Sequence, residues 1–357
     1  MKFKSVVCLL CIVLGGDLFA KVIDTRDIDK VRSKPVLQEA DLQIIDNFVA
    51  EVVAELVDTK DFTSISKIRA IILNRKSDQA QYAEQFSQSA YKYINLGFKK
   101  IDGLENSEQK FRSILNLLIV IHGLEDVKLL DLTIPWLNYK NRAVRYWAVR
   151  CVTNPNIFKQ LNLNPQKKEL VIDNLEKMVK TADAETSFLI AEFAAKINTQ
   201  NGDNLLLKVV DMRIKGYADW TVDYEIMDIS ILKSLYDNMI LDSGNKTAVA
   251  RRFAQLYSYV IQRYVKGQEI LNAVQKQQLA SVMVEIENTY IGKILELPQS
   301  VIKRAVEQKD FMALMEEHGR LLGVGGKAGQ LELKLNFDYG VGSDGSKLLA
   351  PLPLPKP

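Results

Sequence analysis

From residue 36 to residue 322 the apolar residues of this chain recur at helical spacing, and almost no stretch alternates as a strand would. Ile45, Phe48, Val49, Val52, Val53 and Leu56 make one such stripe; Phe253, Leu256, Tyr257, Val260, Ile261 and Tyr264 make another. A period of about 3.6 residues puts each set on one face of a helix, and that face must be covered by another helix. Gly, Pro and short polar residues punctuate the run. Asp61 and Thr63, Asp78, and Asn106 or Ser107 stand where helices can be capped; Gly97, Gly123, Gly216, Gly244 and Gly267 stand near helix ends. Pro165 precedes a further helix, and Pro298 closes a long one over residues 270–297. Many medium helices joined by short turns predict an all-α fold.

The flanks differ from this run. Residues 1–20 read as a secretory signal peptide, with Lys2 and Lys4 as the positive region, residues 6–14 as an unbroken apolar stretch, and Ala20 as the small residue at the cleavage position. Leu18 at the −3 position is less usual than Ala. The alternative is a retained anchor, although the apolar stretch is short of the roughly 20 residues that span a bilayer. Residues 21–35 are polar and read as a linker, and 36–322 as one helical repeat domain. Residues 323–357 read as an irregular Gly/Pro-rich tail, ending in Pro351, Pro353, Pro355 and Pro357, which favours polyproline II or disorder with no side chains able to make a core. Within it Leu331, Leu333, Leu335 and Phe337 alternate, which predicts a single strand or an extended strap.

Charge and cysteine content exclude several function classes. The net charge is +3, and +2 once Lys2, Lys4 and Asp17 leave with the leader. That balance gives no general attraction to nucleic acid or an anionic membrane. No segment after the leader reaches spanning length without charges, so no stable membrane span is expected in the mature chain. Cys8 and Cys11 lie in the leader and lack a lipoprotein cleavage box, which leaves Cys151 alone, with no disulfide framework or thiolate metal site.

The stretch 129–152, Leu-Leu-Asp-Leu-Thr-Ile-Pro-Trp-Leu-Asn-Tyr-Lys-Asn-Arg-Ala-Val-Arg-Tyr-Trp-Ala-Val-Arg-Cys-Val, resembles a HEAT repeat. Pro135 falls inside the first helix, a polar turn follows, and Val144, Arg145 and Ala148 match the Val-Arg-x-x-Ala opening of the second. Val144, Ala148, Cys151 and Val152 share one face, and Ala148 is small enough for close helix approach. About forty residues on, 170–180 and 185–197 form another pair with Ala191, Ala194 and Ala195 as small packing residues, at the HEAT or armadillo period. The turn carries Asn138 and Asn141 where that family tends to have Asp. The resemblance implies a HEAT-like α-solenoid, an armadillo-type superhelix, and solenoids usually bind partners along an extended surface.

Reactive residues are sparse. His122 ends an apolar run before Gly123 and suits a helix C-terminus, and His318 follows Glu316 and Glu317 without metal-ligand spacing. Cys151 lies on an apolar helix face and reads as a buried thiol. The Gly-rich run 323–329 lacks the Ser or Thr that a phosphate loop needs after Lys327. No metal, cofactor or catalytic residue is expected. Two clusters remain. Asp219, Trp220, Asp223, Tyr224, Glu225 and Asp228 combine carboxylates with aromatics, as carbohydrate contact or paired-carboxylate hydrolysis requires; the plainer reading is a turn in which Asp223 caps a helix and Trp220 plugs the core. Tyr139, Lys140, Arg142, Tyr146 and Arg150 form the densest basic-aromatic group, of the residue types enriched in binding hot spots. The sequence therefore predicts a non-catalytic exported scaffold or adaptor for a protein or cell-envelope partner. A carbohydrate-binding or glycan-active helical protein is the alternative.

Overall fold

The computed structural model describes residues 23–357 without residues 60, 106, 198 and 241–244. The leader over 1–20 and the expected punctuation at Asn106 and Gly244 lie outside the described residues. The described residues are mostly helical, with isolated bridges at Val324–Lys327 and Val341–Lys347 and no strand among them. The fold is all-α. The chain divides into two compact units, Met1–Cys151 and Val152–Pro357, where the sequence pattern had suggested one continuous domain.

The first unit contains α1 (Arg26–Val31), α2 (Glu39–Asp58), α3 (Phe62–Leu73), α4 (Ala80–Asp102), α5 (Ser107–Leu124) and α6 (Arg142–Val152), at whose end the division falls. Ile28 and Val31, one helical turn apart, are buried, so residues 21–35 are not a bare linker: they carry α1. The stripe from Ile45 to Leu56 is buried as its period requires, and Asp61 caps α3 by accepting from the Thr63 N–H at 2.9 Å. Helix α2 packs on α3, α4 and α5. Gly97 does not end its helix; α4 runs on to Asp102. A Cβ at Gly97 would stand 3.2 Å from Leu117 and 3.3 Å from Val53, so the glycine is where α2, α4 and α5 come closest. The start of the stretch 129–152, read as the first helix of a HEAT pair, lies in two 3₁₀ turns, Val127–Leu132 and Ile134–Trp136. Pro135 lacks the N–H that an α-helix would use there.

The second unit contains α7 (Phe158–Asn162), α8 (Pro165–Met178), α9 (Ala184–Ile197), α10 (Gln200–Ala218), α11 (Asp228–Ile240), α12 (Lys246–Lys266), α13 (Ala273–Ile286), α14 (Gly292–Leu295), α15 (Val301–Gln308), α16 (Phe311–Leu322) and α17 (Gln330–Leu335). Asn164 caps α8, accepting from the Lys167 N–H at 3.1 Å, with Pro165 in the first turn where its missing N–H costs nothing. Between α13 and α14 lies a π-turn, Glu287–Ile291. Its buried Glu287 carboxylate accepts from the Ile302 and Lys303 N–H groups at 2.7 and 2.8 Å, and so satisfies the first turn of α15. Helix α12 touches α10, α11, α13, α16 and α17, and it is buried on nearly every side.

Two expectations for residues 323–357 are corrected. The alternating segment 330–337 is not a strand. Leu, Glu and Lys are strong helix formers, no neighbouring strand offers a ladder, and the segment winds into α17 with Leu331 inward and Leu333 71 % exposed. The proline-rich end is not without a core contribution, since Pro351 and Leu354 are buried.

Ala148 is fully buried on α6, whereas Arg142 is exposed at its start. Ala148→Trp is expected to overpack the first unit at a cost on the order of 1–3 kcal/mol or more. Arg142→Ala is expected to change stability by no more than about 0.5 kcal/mol. Thermal unfolding of the two variants checks this, and equal shifts would contradict the helix face assigned here.

Candidate functional site

Helix α6 presents the basic-aromatic cluster. Arg142, Tyr146 and Arg150 are spaced by four, so they form one ridge, while Val144, Ala148 and Cys151 point inward. The Arg150 guanidinium lies 4.7 Å from the Trp147 ring centroid and 5.8 Å from that of Tyr146. His122, from α5, meets Trp147 edge-on at 5.7 Å. Burial, and then the nearby Arg150 charge, hold the His122 imidazole below its ordinary value, which keeps it neutral beside the guanidinium. Tyr139 and Lys140 sit in the turn before α6, and their carbonyls accept from Arg145 at 3.0 and 3.1 Å. Tyr139 packs edge-on against Trp136 at 5.3 Å. Thus Arg145 staples its own turn, and the five residues named from the sequence stand on one turn and one ridge. Trp147 and His122 complete the cluster. The i+1 neighbour of Tyr146 was visible in the sequence, but the link to α5 was not.

The Asp219–Asp228 segment is built differently. Asp228 is fully buried and accepts from Arg213 Nε at 2.8 Å, from Arg213 Nη2 at 2.9 Å and from the Tyr217 hydroxyl at 2.6 Å. Burial alone would lower the Arg213 guanidinium; the Asp228 carboxylate overrides it and holds the group above its ordinary value. Nearby, Arg263 of α12 donates to the Val222 carbonyl and to Glu225, both at 3.2 Å, and stacks between Tyr217 and Trp220 at 5.7 and 5.1 Å from their centroids. Burial pushes the Glu225 carboxyl up. Asp219 and Asp223 are exposed. Paired-carboxylate chemistry needs two carboxyl groups facing one substrate, and here Asp228 is sealed under its arginine while Asp223 faces solvent. Asp223 is also not a helix cap: Tyr224 takes that position, at φ 48°, and Trp220 stands at φ 57°. Two aromatic residues in the left-handed region within five positions store strain of about 1–3 kcal/mol each, which the buried ion pairs around them sustain.

Cys151, Ser258 and His318 are enclosed. The Cys151 thiol donates to the Leu118 carbonyl at 3.1 Å, and burial pushes it well above the thiol range. Ser258 Oγ and His318 Nε2 are 2.8 Å apart, and both side chains are buried. Gln262 Oε1 accepts from the Leu354 N–H at 2.7 Å, which orients the amide so that its Nε2 donates to Ser258 Oγ at 2.9 Å. Ser258 thus links Gln262 to His318, and the imidazole tautomer sets which of the serine and the ring carries the proton between them. Among the described residues no group of three or more His, Cys, Asp or Glu is arranged to hold a metal ion, and no helix is long and apolar enough to cross a membrane. No protein-family model matches the chain, and neither a curated protein nor a solved structure matches it.

Burial lowers the His318 imidazole from 6.5 to about 4. The unfolded chain therefore takes up a proton that the folded chain refuses. This contribution to stability is complete above pH 6.5 and is lost progressively as the pH falls towards 4. Between pH 7.5 and 4.5 the wild type should lose about 2–3 kcal/mol more than His318→Gln, whose amide reaches Ser258 without titrating. Urea midpoints at the two pH values measure the difference; parallel losses would remove the proton from His318.

Proposed function

We propose that this chain is a non-catalytic, exported helical-repeat scaffold that binds a protein or cell-envelope partner through the α6 ridge. One observation carries the reading: Arg150 is already stacked on Trp147 and Tyr146 before any partner arrives. A stacked guanidinium keeps its in-plane donors for carboxylates or carbonyls, and holding it in place lowers the ordering cost of binding. Arg and aromatic residues are also the side chains that most often dominate interface energetics.

The solenoid reading draws support from serial packing in the second unit. There α9 contacts α10 and α11, α10 contacts α12, α11 contacts α12 and α13, and α12 contacts α13. Contacts to the next helix and the next but one are what stacked helical pairs make, and over α9–α13 the packing follows that order, while α12 also touches α16 and α17. Export rests on Lys2, Lys4, the apolar stretch 6–14 and Ala20.

Charge reversal of Arg142 and Arg150 together should weaken partner capture from the native envelope fraction by roughly tenfold or more, with helicity unchanged by circular dichroism. The loss should shrink as salt rises, since exposed charges are screened within about 10 Å at 0.1 M. Retention of the full set of partners by the double variant would reduce the ridge to a solvated face. Export is checked separately: N-terminal sequencing should find the mature chain beginning near Lys21, and Met1 on a cytosolic protein would contradict it.

A further inference from the structure

The proline-rich segment is held in the second unit in the manner of a bound peptide. A single glutamine reads two of its backbone groups: Gln262 Nε2 donates to the Leu352 carbonyl at 3.3 Å, and Gln262 Oε1 accepts from the Leu354 N–H at 2.7 Å. One turn further along α12, Lys266 Nζ donates to the Leu354 carbonyl at 2.6 Å. The Trp220 indole N–H donates to the Pro355 carbonyl at 3.1 Å. The recognising groups are side chains, and what they read is main chain.

The segment's own chemistry suits this. Pro353 and Pro355 have no N–H, so between them only Leu354 carries a donor, and Gln262 takes it. The prolines fix φ in advance, which lowers the ordering cost. Pro351 and Leu354 are buried while Leu352, Pro353 and Pro355 are exposed. A spacing of three between inward residues is the repeat of a polyproline II helix, and an aromatic N–H on a carbonyl beside such a segment is a recurring way of binding one.

The receiving side is prearranged. Ser258, Gln262 and Lys266 follow one another at intervals of four along α12 and form a single ladder. Gln262 is pinned by Ser258, which His318 holds in turn. Trp220 keeps its left-handed backbone and its stacking on Arg263, and so its N–H is aimed at the segment. Few side chains are buried in return: the segment's inward contribution is Pro351 and Leu354, so the docking is open to competition.

We propose that the groove formed by Trp220, Gln262 and Lys266 is a recognition site for extended Pro-x-x-Leu-Pro segments, filled in cis by residues 351–355, and that a partner protein carrying such a segment displaces them. This site lies in the second unit and does not depend on the α6 ridge.

The test uses a chain lacking residues 350–357 and a fluorescent peptide of residues 348–357. The shortened chain should bind the peptide saturably, one to one, by anisotropy. Gln262→Ala in the same background should weaken binding at least tenfold, and a peptide with Leu354→Asp should not bind. The full chain should bind at least tenfold more weakly than the shortened one, because a tethered segment competes at an effective concentration on the order of millimolar. A shortened chain that keeps its helicity yet ignores the peptide at millimolar concentration would overturn the proposal and leave the segment a structural strap. If shortening unfolds the unit, the full chain answers instead. Excess peptide should then speed hydrogen exchange at the Leu354 amide, and an unchanged rate would be equally decisive against displacement. A dimer that forms with concentration and vanishes on shortening would assign the groove to a second copy of the chain and overturn the partner reading.

Discussion

The Arg213–Asp228 pair is the constraint on which the second unit depends. Both side chains are buried, and the two hydrogen bonds between them are parallel, at 2.8 and 2.9 Å. A buried pair of this kind is costly to assemble, and costlier to break, because removing one partner strands a charge at about 3–5 kcal/mol. Its position follows from chain direction: Arg213 is on α10 and Asp228 opens α11, so the pair closes the turn between them. Within the turn it closes, Trp220 and Tyr224 take left-handed backbone. The Trp220 ring centroid lies 5.1 Å from the guanidinium of Arg263 of α12. One ion pair thus fixes a turn, the turn fixes an indole, and the indole reaches the proline-rich segment.

The first unit is organised by apolar packing instead. Its helices bury aliphatic stripes; Lys128–Glu84 and Lys100–Asp58 are solvent-exposed ion pairs, and those of Asp41 with Lys34 and Asp46 with Lys92 are sheltered on the acidic side only. Exposed pairs contribute little, commonly under about 1 kcal/mol. The consequence for α6 is that one face is fixed by close apolar contact, while the other is left to hold Tyr146, Trp147 and Arg150 in a stack. Burial of Ala148 and presentation of Arg150 are therefore two outcomes of one helix orientation.

What could be read from the sequence was whatever depends on local spacing. The stripes of α2 and α12, the Asp61 cap, Pro165 in the first turn of α8 and the Arg142–Tyr146–Arg150 ridge all follow from residues within a few turns of each other. What could not be read depends on distant partners. Asp228 resembles any turn carboxylate until Arg213 is seen to face it. Gly97 resembles a helix end until Leu117 and Val53 close on it. The alternation of Leu331, Leu333, Leu335 and Phe337 carries a strand signal, but a strand needs a neighbour to pair with, and the residues between favour a helix. The prolines at 351–357 were read as unable to contribute to a core, because their binding surface lies on α12, some ninety residues earlier in the chain.

Helix α12 joins these observations. Apolar contacts alone specify the rotation of a helix about its axis less sharply than polar ones, since a core of the right volume and pattern can repack. The polar residues of α12 fix it. The Tyr257 hydroxyl donates to the Met283 carbonyl of α13 at 3.0 Å, Ser258 meets His318 of α16, Gln262 meets Leu352 and Leu354, and Arg263 meets Val222 and Glu225. Successive residues leave the axis about 100° apart, so each addresses a different neighbour. A turn of one residue position would break the contacts of all four to the neighbouring segments and keep only the Gln262–Ser258 bond within α12, and each buried group left unpaired would cost about 1–3 kcal/mol. Hydrophobic burial drives α12 to the centre, and these four contacts decide which way it faces once there. The same register that satisfies the core is the one that lines Gln262 and Lys266 along the groove.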